Sequence, residues 1–252
     1  MVNGISVDTI LIPSDNYSYV LRRGDCAIVI DACNGTLLFE YLQRQNLKLQ
    51  AILSTHHHSD HTSGNLKLKK MTGCEIVATD KRVRGADRIV ADSDSIKFCD
   101  SHITALLLPG HTKHGAGWYL PDEGMVFTGD TMFGAGCGRL FEGSPDQMYN
   151  SLQRLASLPD DTLVYFGHEY TIDNLGFALS LEPDNEALQD RFKAETCKLS
   201  EGTYTTPSTV NIEKTTNPFL RCREKTIRAQ LGMIDRSPVA VFAEVRKRKD
   251  RF

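Results

Sequence analysis

The stretch "STHHHSDHTSGN", residues 54–65, places His56, His57, His58, Asp60 and His61 directly after the apolar run "QAIL". Neighbouring imidazoles on a surface loop carry no chemistry alone. As half of a metal site they need partners elsewhere in the chain. Three later segments supply them: His111 follows "ITALLLPG", Asp130 follows "GMVFTG" and His168 follows "TLVYFG". Four apolar runs of strand type thus each end in a short loop bearing a nitrogen or carboxylate donor. A sheet gathers its strand ends along one edge, so such loops converge.

Seven donors (His56, His58, Asp60, His61, His111, Asp130 and His168) suit two metal ions better than one. Imidazole and carboxylate both ligate zinc, and a catalytic ion keeps one position open for water. Two ions roughly 3.5–4 Å apart clamp an attacking and a leaving group between them. The H-x-H spacing makes a chelating pair and the following D-H a second pair. Asp130 is the natural bridge, because a carboxylate has two oxygens where an imidazole has one free nitrogen. His57 is the x of H-x-H and is expected to point elsewhere. His102 lies in a polar turn, and His114 reads as a rim residue.

The 252 residues hold one large domain or a domain with an appendage, and their 40% hydrophobic content supports a sizeable core. No apolar run is long enough to span a bilayer. The N-terminus has no basic segment before Arg22, which argues against a secretory or transit leader. Seven scattered cysteines without a C-x-x-C pair fit a reducing cytoplasm better than a disulfide framework. Residues 221–252 carry ten Lys/Arg against four Asp/Glu, a net +6, which leaves −9 for residues 1–220 within the overall −3. No aromatic interleaving or nucleic-acid module accompanies that basic end, so an anionic small molecule is the sharper expectation.

Short β-runs fill the first two-thirds: "ISVDTILI", "YSYVLRR", "CAIVID", "LQAILST", "EIVAT", "SIKFCD", "ITALLLP", "GMVFTGD" and "TLVYFGH". "TLLFEYLQRQN" and "NLKLKKMTG" read as helices, as does "SPDQMYNSLQRLASLP" with its Ser cap and first-turn proline. From about residue 174 the chain reads as helices ("NLGFALSL", "EPDNEALQDRFKAETCKLSEG", "REKTIRAQLG" and "SPVAVFAEVRKRKD") separated by Pro-, Gly- and Thr-rich connections. The expected fold class is α/β, with residues 1–173 as catalytic domain and 174–252 as a helical domain.

"THHHSDH" (55–61), with "GHT" (110–112), "TGD" (128–130) and "GHEY" (167–170), resembles the metallo-β-lactamase superfamily. Within it the chain is similar to the glyoxalase II, or hydroxyacylglutathione hydrolase, family. "DNYSY" (15–19), "FTGDTMFGAGCGRLFEG" (127–143), "GHEYTIDN" (167–174), "NPFLRCREKT" (217–226) and "VRKRKD" (245–250) carry that likeness along nearly the whole chain. The resemblance implies a four-layer αβ/βα sandwich with a C-terminal helical domain. It implies one metal on His56, His58 and His111, the other on Asp60, His61 and His168, and Asp130 bridging, with Asp60 and Asp130 catalytic. Zinc is the expected metal, with iron or manganese as substitutes. The implied substrate is S-(2-hydroxyacyl)glutathione, foremost S-D-lactoylglutathione, whose hydrolysis to glutathione and D-lactate is the second step of methylglyoxal detoxification. Arg139, Phe141, Tyr170, Asn174, Arg246 and Lys249 are the implied glutathione contacts. The last two lie three apart on one helix face, where cations suit glutathione's two carboxylates. The expected protein is a cytoplasmic monomer without nucleic-acid or membrane partners.

The chain departs from the family pattern in four places. "HTKHG" exchanges a glycine and a histidine, Phe141 stands where many relatives carry tyrosine, "TSGN" replaces x-G-G-N, and "IDACN" replaces D-P-G. None removes a metal donor. The related persulfide dioxygenases, with one iron, form the rival reading, and a non-catalytic metal-binding protein a third.

Overall fold

The computed structural model describes residues 4–13 and 15–252. Its contacts divide the chain into two compact units. One contains the residues up to Leu107 together with His114–Gly129; the other contains Leu108–Lys113 and Asp130–Phe252.

The first unit opens with β1 (Ser6–Ile12), β2 (Asn16–Arg23) and β3 (Cys26–Ile30), an antiparallel meander. Helix α1 (Gly35–Arg44) then crosses over to β4 (Lys48–Leu53), parallel to β3. A helical turn, α2 (Ser59–Thr62), and α3 (Asn65–Thr72) lead to β5 (Glu75–Ala78) and β6 (Arg88–Ile89), completing a sheet ordered β1-β2-β3-β4-β5-β6. Alternate residues of its central strands bury in opposite directions. Val20, Ala27, Val29, Ile52 and Ile76 pack with Leu38 and Leu42 of α1 and Leu68 of α3. A strand covered on both faces reads as a continuous apolar run, which is why "CAIVI" shows no polar alternation. Strands β7 (Ser95–Phe98), β8 (Ser101–Leu107), β9 (Ala116–Leu120) and β10 (Met125–Gly129) form a second antiparallel meander. Tyr19 of β2 meets Phe127 of β10 edge-on, ring centroids 5.3 Å apart, where the two sheets pack.

In the second unit the two-stranded hairpin β11 (Met132–Phe133) and β12 (Gly136–Cys137) precedes α4 (Pro145–Ala156). Ser144 and Gln147 cap α4 reciprocally, with Pro145 in the first turn as its sequence required. Next come β13 (Leu163–Phe166), α5 (Thr171–Leu181), α6 (Glu186–Ser200), β14 (Ser208–Thr209), α7 (Val210–Thr216), α8 (Lys225–Leu231) and α9 (Pro238–Lys249). Strand β14 pairs antiparallel with β13.

The expected mixed α/β fold with two sheets and a helical C-terminal region is therefore present. Sequence reading missed β9, whose five residues follow Gly115 and include Gly117, and α7, whose "VNIEKTT" is poor in helix formers. Helix α7 is sustained instead by the Thr209 cap and by burial of Val210, Glu213 and Thr216.

Candidate metal centre

In the first unit, β4 delivers the chain through buried Ser54 and Thr55 into the histidine run. His56 is buried and His58 partly exposed, and His56 Nε2 stands 3.1 Å from His58 Nδ1. Nitrogens sharing one tetrahedral zinc with bonds of about 2.0–2.1 Å stand about 3.3 Å apart, so this pair has the spacing of a chelate. Helical turn α2 then carries Asp60, solvent-facing, and His61, fully buried, with His61 Nε2 3.5 Å from Asp60 Oδ2. Asn16 Nδ2 donates to that same Oδ2 at 3.3 Å, which gives the "DNYSY" motif a role in holding Asp60.

The far side of these rings is held by Asp31, a residue to which the sequence reading gave no role. Its Oδ1 accepts from the Thr55 backbone N–H at 2.7 Å. Its Oδ2 accepts from Thr55 Oγ1 at 2.7 Å and faces His61 Nδ1 at 2.9 Å. Thr55 Oγ1 in turn lies 3.0 Å from His56 Nδ1. A carboxylate behind an imidazole fixes its tautomer and leaves Nε2 with its lone pair toward the ion. The backbone at Asp31 is left-handed, φ +52°, an unusual conformation for a non-glycine residue. Asp31 also ends an apolar strand, so the strand-end signal that identified Asp130 was present here too.

His57 turns away: its Nδ1 lies 3.4 Å from Asp80 Oδ2. Burial opposes ionisation of Asp80, but the hydrogen bonds and charge of Arg82 prevail and hold it below the usual carboxylate range. His102 and His114 are exposed. Two of the departures from the family pattern meet each other, since Ser63 Oγ donates to the Cys33 carbonyl at 2.6 Å.

In the second unit, Asp130 Oδ2 lies 3.4 Å from His111 Nε2 and 3.4 Å from His168 Nε2. All three residues are at least nine-tenths buried. One carboxylate oxygen between two imidazole nitrogens at that spacing is what a bridging ligand requires. His111 Nδ1 faces the Arg139 carbonyl at 2.8 Å, and His168 stacks flat on Tyr170, centroids 4.8 Å apart and 5° from parallel. Gly138 is dictated by approach, because a Cβ there would collide with the Asp130 carbonyl. The donors are all nitrogen and oxygen, a set that fits zinc, iron and manganese alike and needs no thiolate.

A cleft of about 430 Å³ in this unit is lined by Arg139, Phe141, Ala243, Arg246, Lys247 and Arg251, among others. Arg139 stacks over Phe141, which packs against the His111 ring. Arg246 is 7% exposed; its Nη1 donates to the Cys137 carbonyl at 2.8 Å and its Nη2 pairs with Asp250 at 3.0 Å. Burial pushes the neighbouring Cys137 thiol up to about 11, so it stays neutral beside that guanidinium. Of the other implied glutathione contacts, Tyr170 sits on His168. Asn174 is buried, with its amide nitrogen on the Gly134 carbonyl at 3.1 Å. Lys249 reaches the Asp173 carbonyl at 3.3 Å and lies over the Phe177 and Phe252 rings. Burial there lowers the Lys249 ammonium below its ordinary range.

Residues 11–168 match the family model described as the metallo-beta-lactamase superfamily, and the chain belongs to that superfamily. Residues 169–252 match the model described as the hydroxyacylglutathione hydrolase C-terminus. A Brucella ovis protein named hydroxyacylglutathione hydrolase is 43% identical over 257 residues, covering 100% of both chains. The chain is thus a member of the hydroxyacylglutathione hydrolase family. Among solved structures it is similar to ETHE1 from Myxococcus xanthus, with a TM-score of 0.68 and 25% identity over 97% of this chain and 98% of that one. TTHA1623, solved in a di-iron-bound form, gives a TM-score of 0.63 at 22% identity over 85% of this chain and 100% of its own. Clusters of His and Asp in this superfamily bind divalent metal. No helix among the described residues is long and apolar enough to cross a membrane.

Proposed function

We propose that this chain hydrolyses the thioester of S-(2-hydroxyacyl)glutathione, S-D-lactoylglutathione above all, to glutathione and the 2-hydroxy acid. The observation that carries the reading is Asp130 Oδ2, set 3.4 Å from the Nε2 atoms of both His111 and His168. It supports two ions, with His56, His58 and His111 as donors to one, Asp60, His61 and His168 to the other, and Asp130 shared. Zinc fits this donor set, and iron or manganese can replace it.

Two such ions, when bound, polarise the thioester carbonyl and lower the pKa of water towards about 7. The residues do the rest. Asp31 and the Arg139 carbonyl fix the His61 and His111 rings, so the inward nitrogens stay aligned. Asp60, held by Asn16, is positioned to orient the attacking oxygen. The leaving thiolate has a pKa near 8.5, so the site needs no strong general acid. The cations of the 430 Å³ cleft hold the carboxylates of the glutathionyl group. Free thiols at all seven cysteines fit a cytoplasmic home, and the enzyme acts as a monomer on a glutathione thioester.

The rival reading, a persulfide dioxygenase, lacks a helical appendage with a "VRKRKD"-like end, and this chain carries that segment at 245–250. The C-terminal match over 169–252 and the 43% full-length identity support hydrolysis instead. The test is the loss of lactoylglutathione thioester absorbance before and after chelation, with metal analysis of the same sample. Metal-dependent loss is the expected result. Oxygen uptake with glutathione persulfide and no thioester cleavage would favour the dioxygenase, and a metal-loaded chain inert to both a binding role.

A further inference from the structure

The "NPF" motif at 217–219 and the helix before it have no part in the proposed chemistry, yet they converge on the hairpin β11–β12. That hairpin turns through Gly134 and Ala135, and Ala135 adopts a left-handed backbone, φ +52°. Side chains, rather than a longer ladder, hold the turn. Glu213 Oε2 accepts the Ala135 N–H at 2.9 Å. Asn217 Nδ2 donates to the Gly136 carbonyl at 2.9 Å and the Phe133 carbonyl at 3.4 Å, and Asn174 Nδ2 takes the Gly134 carbonyl. Behind them, Glu213 Oε1 accepts from Arg191 Nη2 at 2.6 Å and Ser208 Oγ at 2.6 Å, and Asn217 Nδ2 reaches Glu213 Oε2 at 3.0 Å. Glu213 and Asn217 are both fully buried. A buried carboxylate carrying this many hydrogen bonds is a rigid fixture, and losing one partner exposes the others to an unmet acceptor.

The hairpin's other contacts belong to the candidate centre. Phe133 packs edge-on against both His168 and Tyr170, at 5.9 and 5.4 Å. The Cys137 carbonyl receives Arg246, and two residues on, the Arg139 carbonyl faces His111 Nδ1. One seven-residue segment, 133–139, thus touches two candidate metal donors and the buried arginine of the cationic cleft.

We propose that Glu213 and Asn217 are positioning residues, a clamp that sets this hairpin and through it the placement of Arg246, His111 and His168. The kinetic part rests on the thioester hydrolysis proposed above. In Asn217→Ala, hydrogen–deuterium exchange of a peptide covering 131–141 should quicken while that of α4 is unchanged, because the protection of that turn comes from the clamp. KM for lactoylglutathione should rise roughly tenfold and kcat fall by less, with metal content per folded protein preserved. If Asn217→Ala does not fold, Glu213→Gln, which keeps the volume and one acceptor oxygen, should show the same changes in milder form. Parental exchange over 131–141 in a folded variant would overturn the clamp. So would a loss of activity matched by an equal loss of metal at unchanged KM. If the parent chain itself leaves lactoylglutathione intact, the hydrolase reading fails and the exchange experiment alone decides the clamp.

Discussion

The histidine loop after β4 and the basic end formed by α9 both concentrate one kind of side chain, and the protein uses them in opposite ways. In the loop, the outward nitrogens are occupied by Asp31 and Thr55, which leaves the inward ones for a ligand. In α9, several charges are turned onto the protein itself. Arg246 serves Cys137 and Asp250, Arg248 pairs with Glu244, and Lys249 reaches Asp173. Lys247 and Arg251, which spacing alone passes over, line the cleft. An imidazole has a back to be held and a front to bind with. A buried guanidinium has five donors that the fold shares out first.

The sharpest way to break this comparison is to remove an inward donor. His58→Ala and Asp130→Ala should each reduce thioester hydrolysis to background with depleted metal, read by turnover and metal analysis. A near-normal rate in either would remove the two-metal assignment. Removing the back of the loop should cost less: Asp31→Ala should weaken metal affinity or activity by about 10–100-fold, measured by titration against a chelator. At the basic end, Arg246→Ala should raise KM by roughly tenfold, since charge-assisted hydrogen bonds contribute about 1.5–3 kcal/mol. Lys247→Ala and Arg251→Ala, on exposed positions, should raise it only about two- to threefold, an effect that added salt erases. If the two exposed substitutions outweighed Arg246→Ala, the ligand would be held by the exposed cations and not through Arg246.

The smallest effect concerns the ion pair between Glu182 and Arg221. Burial by itself would raise Glu182, but hydrogen bonds from Arg221 and Thr226 outweigh it and hold Glu182 below its ordinary 4.5. A depressed carboxylate contributes stability that is fully present above its unfolded value and lost as pH falls through the folded one. Glu182→Gln should therefore lower Tm at pH 7, and the gap to the parent should close on acidification below about pH 4.5. A gap constant with pH would exclude the ion pair as its source.

Much of this was legible in the chain. The four donor-bearing strand ends could be read because apolar β-runs followed by His or Asp report both position and chemistry. Asp31 ends a strand in the same way, but its partners, Thr55 and His61, are ordinary residues until the fold brings them together. Asn174 could be placed by motif but not by direction, and its amide meets the Gly134 carbonyl inside the protein. Helix α7 escaped because "VNIEKTT" forms a helix only when Glu213 is buried among Arg191, Ser208 and Ala135. Local propensity carries no trace of such a long-range requirement.

Asp31 has one more consequence. It holds Thr55 and His61, and through Thr55 also His56, by hydrogen bonds that need no ion. Metal binding at these two rings would then require little further ordering of the chain. Such a protein should survive chelation folded and accept a different ion afterwards. Its metal content would record the supply in which it was made more than any preference of the chain.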